Sequence, residues 1–242
     1  MSKAYFDTID ATWPPLNIIE RGGFLLRDGG GSDSKRVCCA TLNTSLSAAD
    51  IQEAETGMLA LNQTPLFMIR EEDNELDAKL NERDYDIVDP VHILSAPVST
   101  LIRELEPLAC FEVFPPLAIM EEIWAEGGIT EGRLNVMHRA QTAKTTLLGR
   151  AKGRAAGAAF VGLHGKIAML HALEVSSRAR RQGVAVNMMY AAANWSQDHG
   201  AEQLSVVVTH ANTAANKLYT FLNMKPVGHY HYRIKQKNSR ID

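Results

Sequence analysis

The chain has 242 residues, 45% of them hydrophobic, enough to bury a core as one large domain or two small ones. A formal charge of −3 excludes a general affinity for nucleic acid or anionic membrane, so any basic site must be local. No apolar run approaches the roughly 18 residues of a membrane span, the N-terminus lacks the basic and apolar regions of a secretion signal, and the three cysteines (Cys38, Cys39, Cys110) cannot all pair. These features predict a cytoplasmic globular protein with reduced thiols and no nucleic-acid or membrane partner.

Residues 24–42, "FLLRDGGGSDSKRVCCATL", read as two short strands around a glycine-serine turn. The "GGGSDSK" patch lacks the closing Gly-Lys-Ser/Thr of a phosphate loop and leads into a strand-like run instead of a helix. A helix with Ser47 as its N-cap is predicted within 45–63, then a strand at 65–70, a helix at 74–83 and a strand at 85–94 that Pro90 interrupts or places at an edge. Two short helices follow, near 117–126 and 130–141, parted by Gly127 and Gly128. Residues 144–175 alternate apolar and small side chains with glycines at the turns, the pattern of an antiparallel meander. A helix at about 184–199, a strand at 203–208, a helix at about 213–222 and a strand at 226–234 complete the run, and the polar tail "KQKNSRID" reads as frayed.

Both halves thus run hairpin, helix, strand, helix, strand. A constant shift of 138 residues aligns Asn74 with Asn212 and Lys79–Leu80 with Lys217–Leu218. The reading is an α/β (α+β) fold of two related halves, each a mixed, largely antiparallel sheet flanked by helices. Residues 1–96 form the first half, 97–143 a helical connection and the start of the second, and 144–242 its core.

Positive charge gathers in "SSRARRQGVAVNMMYAAANW" (176–195), directly before the predicted helix. The first backbone N–H groups of a helix have no partner inside it, and the peptide dipoles make that end positive, so a strand turning sharply into a helix forms an anion site. Gly183 permits close approach to the backbone, Ala185 keeps the next contact small, and Arg180 and Arg181 add charge that a diphosphate can use. A solvated basic turn capping a helix explains the same residues. Two features favour the anion site: the strand "IAMLHALEVSS" (167–177) ends at the arginines, and "THANTAANKLYTFLNMKPVG" (209–228) carries Asn212 at a strand end and Tyr219, a phenol of ordinary pKa about 10, on the helix after it.

On these residues the segment 144–234 resembles the acetyl-CoA-binding core of the GNAT superfamily of N-acetyltransferases. The family's Arg/Gln-x-x-Gly-x-Gly/Ala loop is matched by "RRQGVA" (180–185), and its Asn-x-x-Ala-x-x-Leu-Tyr-x-x-Leu-Gly-Phe segment by "NTAANKLYTFLNM" (212–224). Asn223–Met224 replace the family's Gly-Phe, and Ser176–Ser177 stand where an Asp-Pro-like pair is common. The resemblance implies acetyl-CoA as cosubstrate and acetyl transfer to a primary amine of a small molecule or peptide, by direct attack in a ternary complex. It implies pantetheine pairing with the backbone of Leu173, Glu174 and Val175, and diphosphate held by Arg180, Arg181, Gln182, Gly183, Val184 and Ala185. It also implies cofactor contact at Asn212 and Tyr219 as general acid. Residues 13–94 resemble the N-terminal half of tandem members, through "WPP" and "GGFLLR". Shifted by 138, however, the loop lands on "LNTSLS" (42–47) and Tyr219 on Asn81, so the first half keeps the scaffold without the site and one acetyl-CoA binds per chain.

For the base, His171 and Glu174 are candidates; three apart on a strand, they are expected on opposite faces. Water, or for His171 a packed core role, is the alternative. Glu121 and Glu122 are candidates for a cationic acceptor or a solvated helix face. His229 and His231 share a strand face with no acidic neighbour in sequence, and no metal site is expected. A single Gly183 after a meander does not supply a dinucleotide fingerprint. A non-catalytic acyl-CoA-binding module remains the competing reading, and a homodimer is left open.

Overall fold

The computed structural model describes residues 2–235, so most of the predicted frayed tail lies outside the described residues. The chain opens with a helix absent from the sequence reading, α1 (Ser2–Thr12), and a strand, β1 (Asn17–Arg21). The hairpin at 24–42 is β2 (Phe24–Asp28) and β3 (Ala40–Leu42), and Phe24 pairs with Leu42. The next helix, α2 (Ile51–Ala60), is capped by Asp50, not by Ser47, which falls in a short 3₁₀ turn ahead of it. β4 (Leu66–Arg70), α3 (Asn74–Asn81) and β5 (Tyr85–Pro97) follow. β5 runs through Pro90, with Asp89 turned left-handed (φ +45°) just before it.

The connection from 97 to 143 is not wholly helical. It holds α4 (Val98–Leu101), an unforeseen strand β6 (Cys110–Val113), α5 (Ala118–Glu126) and α6 (Glu131–Arg139). The meander is β7 (Lys144–Ala151), β8 (Arg154–His164) and β9 (Ile167–Val175). It leads to α7 (Val184–Asp198), β10 (Gln203–Thr209), α8 (Thr213–Phe221) and β11 (Lys225–Lys235).

The chain divides into two compact units that are discontinuous in sequence. The larger comprises Met1–Pro14, Ile93–Val208 and Asn212–Gly228; the smaller comprises Pro15–His92, Thr209–Ala211 and His229–Asp242. In the larger unit the strand order is β5-β10-β9-β8-β7-β6. β6 through β9 pair antiparallel, whereas β9 and β10 pair parallel. Helices cover both faces, and glycines set how closely they approach. A Cβ on Gly149 or on its cross-strand partner Gly157 would lie 2.5 or 2.8 Å from Met188 Sδ, so α7 rests directly on that side. A Cβ on Gly162 would lie 2.9 Å from Thr12, which places α1 on the other side, because residues 157 and 162 point to opposite faces. Trp195, Met188, Leu204 and Leu170 fill the core under α7.

In the smaller unit β1-β2-β3-β4-β11 is the order. The pairs β1–β2, β2–β3 and β4–β11 are antiparallel and β3–β4 is parallel. Phe24, Phe67 and Tyr85 meet edge to face at its centre, with ring centroids 5.3 and 5.6 Å apart. Arg233, 5% exposed, donates to Asp77 Oδ1 (2.7 Å), Asn81 Oδ1 (3.0 Å) and the Tyr85 carbonyl (2.7 Å). Asn81, the position aligned with Tyr219, is therefore spent on a structural arginine. In sequence both halves follow the same run: three antiparallel strands, helix, strand, helix, strand.

Candidate active site

The site is set by an irregularity in β9. Opposite β8, Phe160 pairs with His171 and Ala158 with Glu174, so the single residue between them on β8, Ala159, faces two on β9, Ala172 and Leu173. The extra residue is a β-bulge, and Ala172 takes it up in a left-handed conformation (φ +51°). The Trp124 indole N–H, buried on α5, donates to the Ala172 carbonyl at 2.8 Å and holds the bulge in place. Because partners across the ladder share a face and residues 158 and 160 lie on the same face, His171 and Glu174 also share one. The expectation of opposite faces fails here, since the bulge cancels one step of the alternation.

The parallel ladder between β9 and β10 ends at Leu170 with Val206, five residues before β9 ends at Val175 (175 − 170 = 5). Leu173, Glu174 and Val175 are thus half-buried residues of β9 beyond the end of its ladder with β10. Beyond Val175 a 3₁₀ turn (Ser177–Ala179) delivers the chain to the arginines.

The loop into α7 is tight and open. Arg181 (φ +61°) and Gly183 (φ +80°) are both left-handed, a strained geometry for arginine. Gly183 is the N-cap of α7 and offers no side-chain hydrogen bond, so the N–H groups of Val184, Ala185 and Val186 have no acceptor within the helix. A Cβ at Gly183 would meet nothing within 4 Å. Arg180, Arg181, Gln182 and Gly183 are exposed, Ala185 is half-buried, and Val184 anchors the turn in the core. An uncapped helix start flanked by two solvent-facing guanidinium groups fits a diphosphate.

Glu174 is the acid beside this loop. Its side chain lies against Gly127, where a Cβ would fall 2.5 Å from Glu174 Cδ, so glycine at the end of α5 lets the carboxylate keep this position. Arg180 reaches back to it: Nη2 lies 3.6 Å from Glu174 Oε1, and Nε donates to the Val175 carbonyl at 3.4 Å. Burial raises the Glu174 carboxyl above the usual glutamate range, the charge of Arg180 pulls it back, and Glu126 raises it again, with a net upward displacement. Glu126 is held by the Ser176 hydroxyl, which donates at 3.0 Å. Glu121 and Glu122, the acids of α5 expected to meet a cationic acceptor or solvent, are exposed; Glu126, one turn beyond Glu122, is the carboxylate of α5 that bears on Glu174. Its value depends on a contact between α5 and β9 that sequence spacing does not reveal.

His171 is sealed in the core, 2% exposed, with its ring 5.0 Å from that of Trp13. Thr12 Oγ1 donates its only proton to the Thr8 carbonyl (2.7 Å), so His171 Nε2 is the donor in its 2.8 Å bond to Thr12. With that nitrogen committed inside the protein, His171 is a core strut and not an accessible base. Tyr219 is buried in the same core that Leu173 and Val175 flank, and burial raises its phenol well above the ordinary value, which keeps it protonated. Asn212 caps α8, its Oδ1 accepting from Ala215 N–H at 3.1 Å, which leaves its amide N–H₂ to turn to a ligand.

The strand histidines do have acidic neighbours. His231 Nε2 lies 2.8 Å from Asp77 and His229 Nδ1 3.0 Å from Glu71, partners brought by α3 and the end of β4 that sequence adjacency could not show. Among the described residues, no group of three or more His, Cys, Asp or Glu is arranged to hold a metal, and no helix is long and apolar enough to cross a membrane. Cys38, Cys39 and Cys110 are not joined in disulfides, and burial pushes the Cys110 thiol up to about 12.

Residues 111–224 match the acetyltransferase (GNAT) family. Over 236 residues, covering 93% of this chain and 95% of the relative, the sequence is 25% identical to YobR of Bacillus subtilis, described as an uncharacterized N-acetyltransferase. Among solved structures, a GCN5-related N-acetyltransferase from Kribbella flavida superposes with a TM-score of 0.71 at 15% identity, covering 98% of this chain and 96% of that one. A conserved protein of unknown function from Staphylococcus epidermidis gives 0.68 at 11% identity, covering 96% and 97%. A tandem GNAT protein from the clavulanic acid biosynthesis pathway gives 0.54 at 11% identity over 75% of this chain and 67% of that one. The structural likenesses establish the fold, and with the sequence matches they support the GNAT acetyltransferase family.

Proposed function

From the premise of a GNAT acetyltransferase domain over residues 111–224, we propose that this chain transfers an acetyl group from acetyl-CoA to a primary amine in a ternary complex. The observation that carries this is the uncapped N-terminus of α7 with Arg180, Arg181 and the left-handed Gly183 at its entrance. The N–H groups of Val184, Ala185 and Val186 and the two guanidinium groups hold the diphosphate. The free edge of Leu173–Val175 receives the pantetheine amides as an added strand.

Glu174 takes the proton of the attacking amine, directly or through water, as the new N–C bond forms. Its raised carboxyl suits the task better than an ordinary glutamate, because a base closer to neutrality holds an amine proton more firmly. A backbone N–H at the end of β9 donates to the thioester oxygen. As the C–S bond breaks, Tyr219 gives its proton to the departing sulfur, and the proton on Glu174 returns through solvent to restore the phenol. One amine proton is lost and one thiol proton gained, so the reaction balances.

The first half of the sequence is in this reading a GNAT-like half that kept the element order and lost the cofactor site, completing a tandem protein. Its unbridged cysteines accord with a reducing compartment such as the cytoplasm. An acceptor screen that follows thiol release from acetyl-CoA tests the proposal. Turnover with an amine that drops in Glu174→Gln and Tyr219→Phe supports it; tight CoA binding without transfer to any amine favours the silent acyl-CoA-binding module.

A further inference from the structure

One residue serves two parts of the site. Arg180 stands in the loop assigned to the diphosphate, yet its guanidinium is turned back onto β9, with Nη2 3.6 Å from Glu174 Oε1 and Nε on the Val175 carbonyl. Those two contacts are the carboxylate assigned as base and the strand end assigned to the pantetheine. Of the other groups that bear on Glu174, the Val175 backbone N–H also favours the charged carboxylate and stays in place when Arg180 leaves, but it brings no full charge. Gly127 presents only backbone at the end of α5, and Glu126, tied to the Ser176 hydroxyl, is of the same charge. Glu174 is thus paired with a single cation, and that cation is mostly exposed to solvent: the Arg180 side chain is 64% exposed against 23% for Glu174.

Resting on the cofactor reading above, we propose that Arg180 is a latch on Glu174, released when the diphosphate takes the guanidinium, so that cofactor seating frees the base. Before the cofactor arrives, the ion pair holds the carboxylate as a weaker proton acceptor than its burial alone would make it, and Arg180 occupies the Val175 carbonyl. A diphosphate competes for the same guanidinium with more charge and with geometry suited to a forked donor. Once Arg180 turns to it, Glu174 loses its stabilising cation while Glu126 stays, and the carboxylate becomes a stronger base where the amine must lose its proton. Arg180 is in this account a positioning residue for the base as well as a ligand for the phosphates. The coupling is reciprocal: whatever neutralises Glu174 must also strengthen cofactor binding.

Calorimetric titration with CoA itself reads this coupling without turnover. At pH 8, Glu174→Gln should bind CoA about two- to fivefold more tightly than the parent chain, the scale of a partly exposed ion pair. The advantage should close as the pH falls through the Glu174 titration, where the parent carboxyl becomes neutral too. In an Arg180→Gln background the same Glu174→Gln change should leave CoA affinity unmoved, because no latch remains to release. Equal tightening in both backgrounds would reduce the effect to simple repulsion between Glu174 and the phosphates and overturn the latch. No tightening in the parent background, in a variant with unchanged thermal unfolding, would overturn it as well. A parent chain that binds no CoA at all removes the cofactor reading and the latch together, whereas intact binding with equal affinities removes the latch alone.

Discussion

Two helices of this molecule begin in comparable places, each after three antiparallel strands, and their first turns are opposite in character. α2 is capped by Asp50, whose carboxylate accepts from the Glu53 N–H at 3.1 Å, and Glu53 adds a second acid to that turn. α7 is capped by Gly183, with no side-chain bond, and is preceded by Arg180 and Arg181. A helix start favours an anion in both cases. α2 carries its own, built into the chain, whereas α7 leaves the seat open and gathers cations around it. Shared element order is therefore compatible with one half binding a phosphate-bearing cosubstrate and the other binding none. The difference lies in a few residues of one loop.

The sharpest way to break the comparison is to copy one cap into the other. Gly183→Asp places a carboxylate at the start of α7, in space where a Cβ meets nothing within 4 Å, and aspartate tolerates the left-handed backbone better than most residues. CoA affinity should fall on the order of 100-fold, through the filled seat and the added like charge, while the unfolding temperature moves by only a few degrees. Glu174→Gln should lower kcat by about 100-fold or more, and the pH profile should change with it. In the parent chain activity falls as the pH drops through the Glu174 carboxyl, which is displaced upward, so the loss begins at higher pH than an ordinary glutamate would give. Without that carboxylate the acid limb should disappear. Tyr219→Phe should slow turnover about tenfold, a small effect for a general acid because a thiolate leaves readily, with CoA affinity nearly unchanged.

Smaller effects test the supports. Gly127→Ala brings a Cβ to 2.5 Å from the end of the Glu174 side chain, which must turn aside, and should cost less than about 1 kcal/mol of stability. Its turnover should fall further than its CoA affinity, which separates displacement of the base from general damage. Asp50→Ala should cost about 1 kcal/mol, the usual worth of an N-cap, and leave CoA binding untouched.

What the sequence disclosed and what it withheld follow from the range of the interactions involved. The loop 180–185 was legible because its charge, its glycine and its helix start are local, and so was the succession of strands and helices from β7 to β11. The bulge was not. Alanine carries no signal for a left-handed conformation, and Ala172 adopts one because Trp124, 48 residues away in sequence, binds its carbonyl. With the bulge went the relation of His171 to Glu174. The ambiguity of His171 likewise resolved only once α1, an unforeseen helix, supplied Thr12 and Trp13. Glu126, Glu71 and Asp77 came to their partners across 48 to 158 residues of chain, distances at which spacing patterns carry no information. At α2, Ser47 and Asp50 were both good caps by type, and the intervening 3₁₀ turn decided between them.

The central claim is that the open first turn of α7 holds the diphosphate of a single cosubstrate. Titrating CoA into the parent chain and into Gly183→Asp by calorimetry tests it most directly. The account predicts one site per chain in the parent and its loss in the folded variant. Two equal sites per chain, or binding in Gly183→Asp as tight as in the parent, would contradict it.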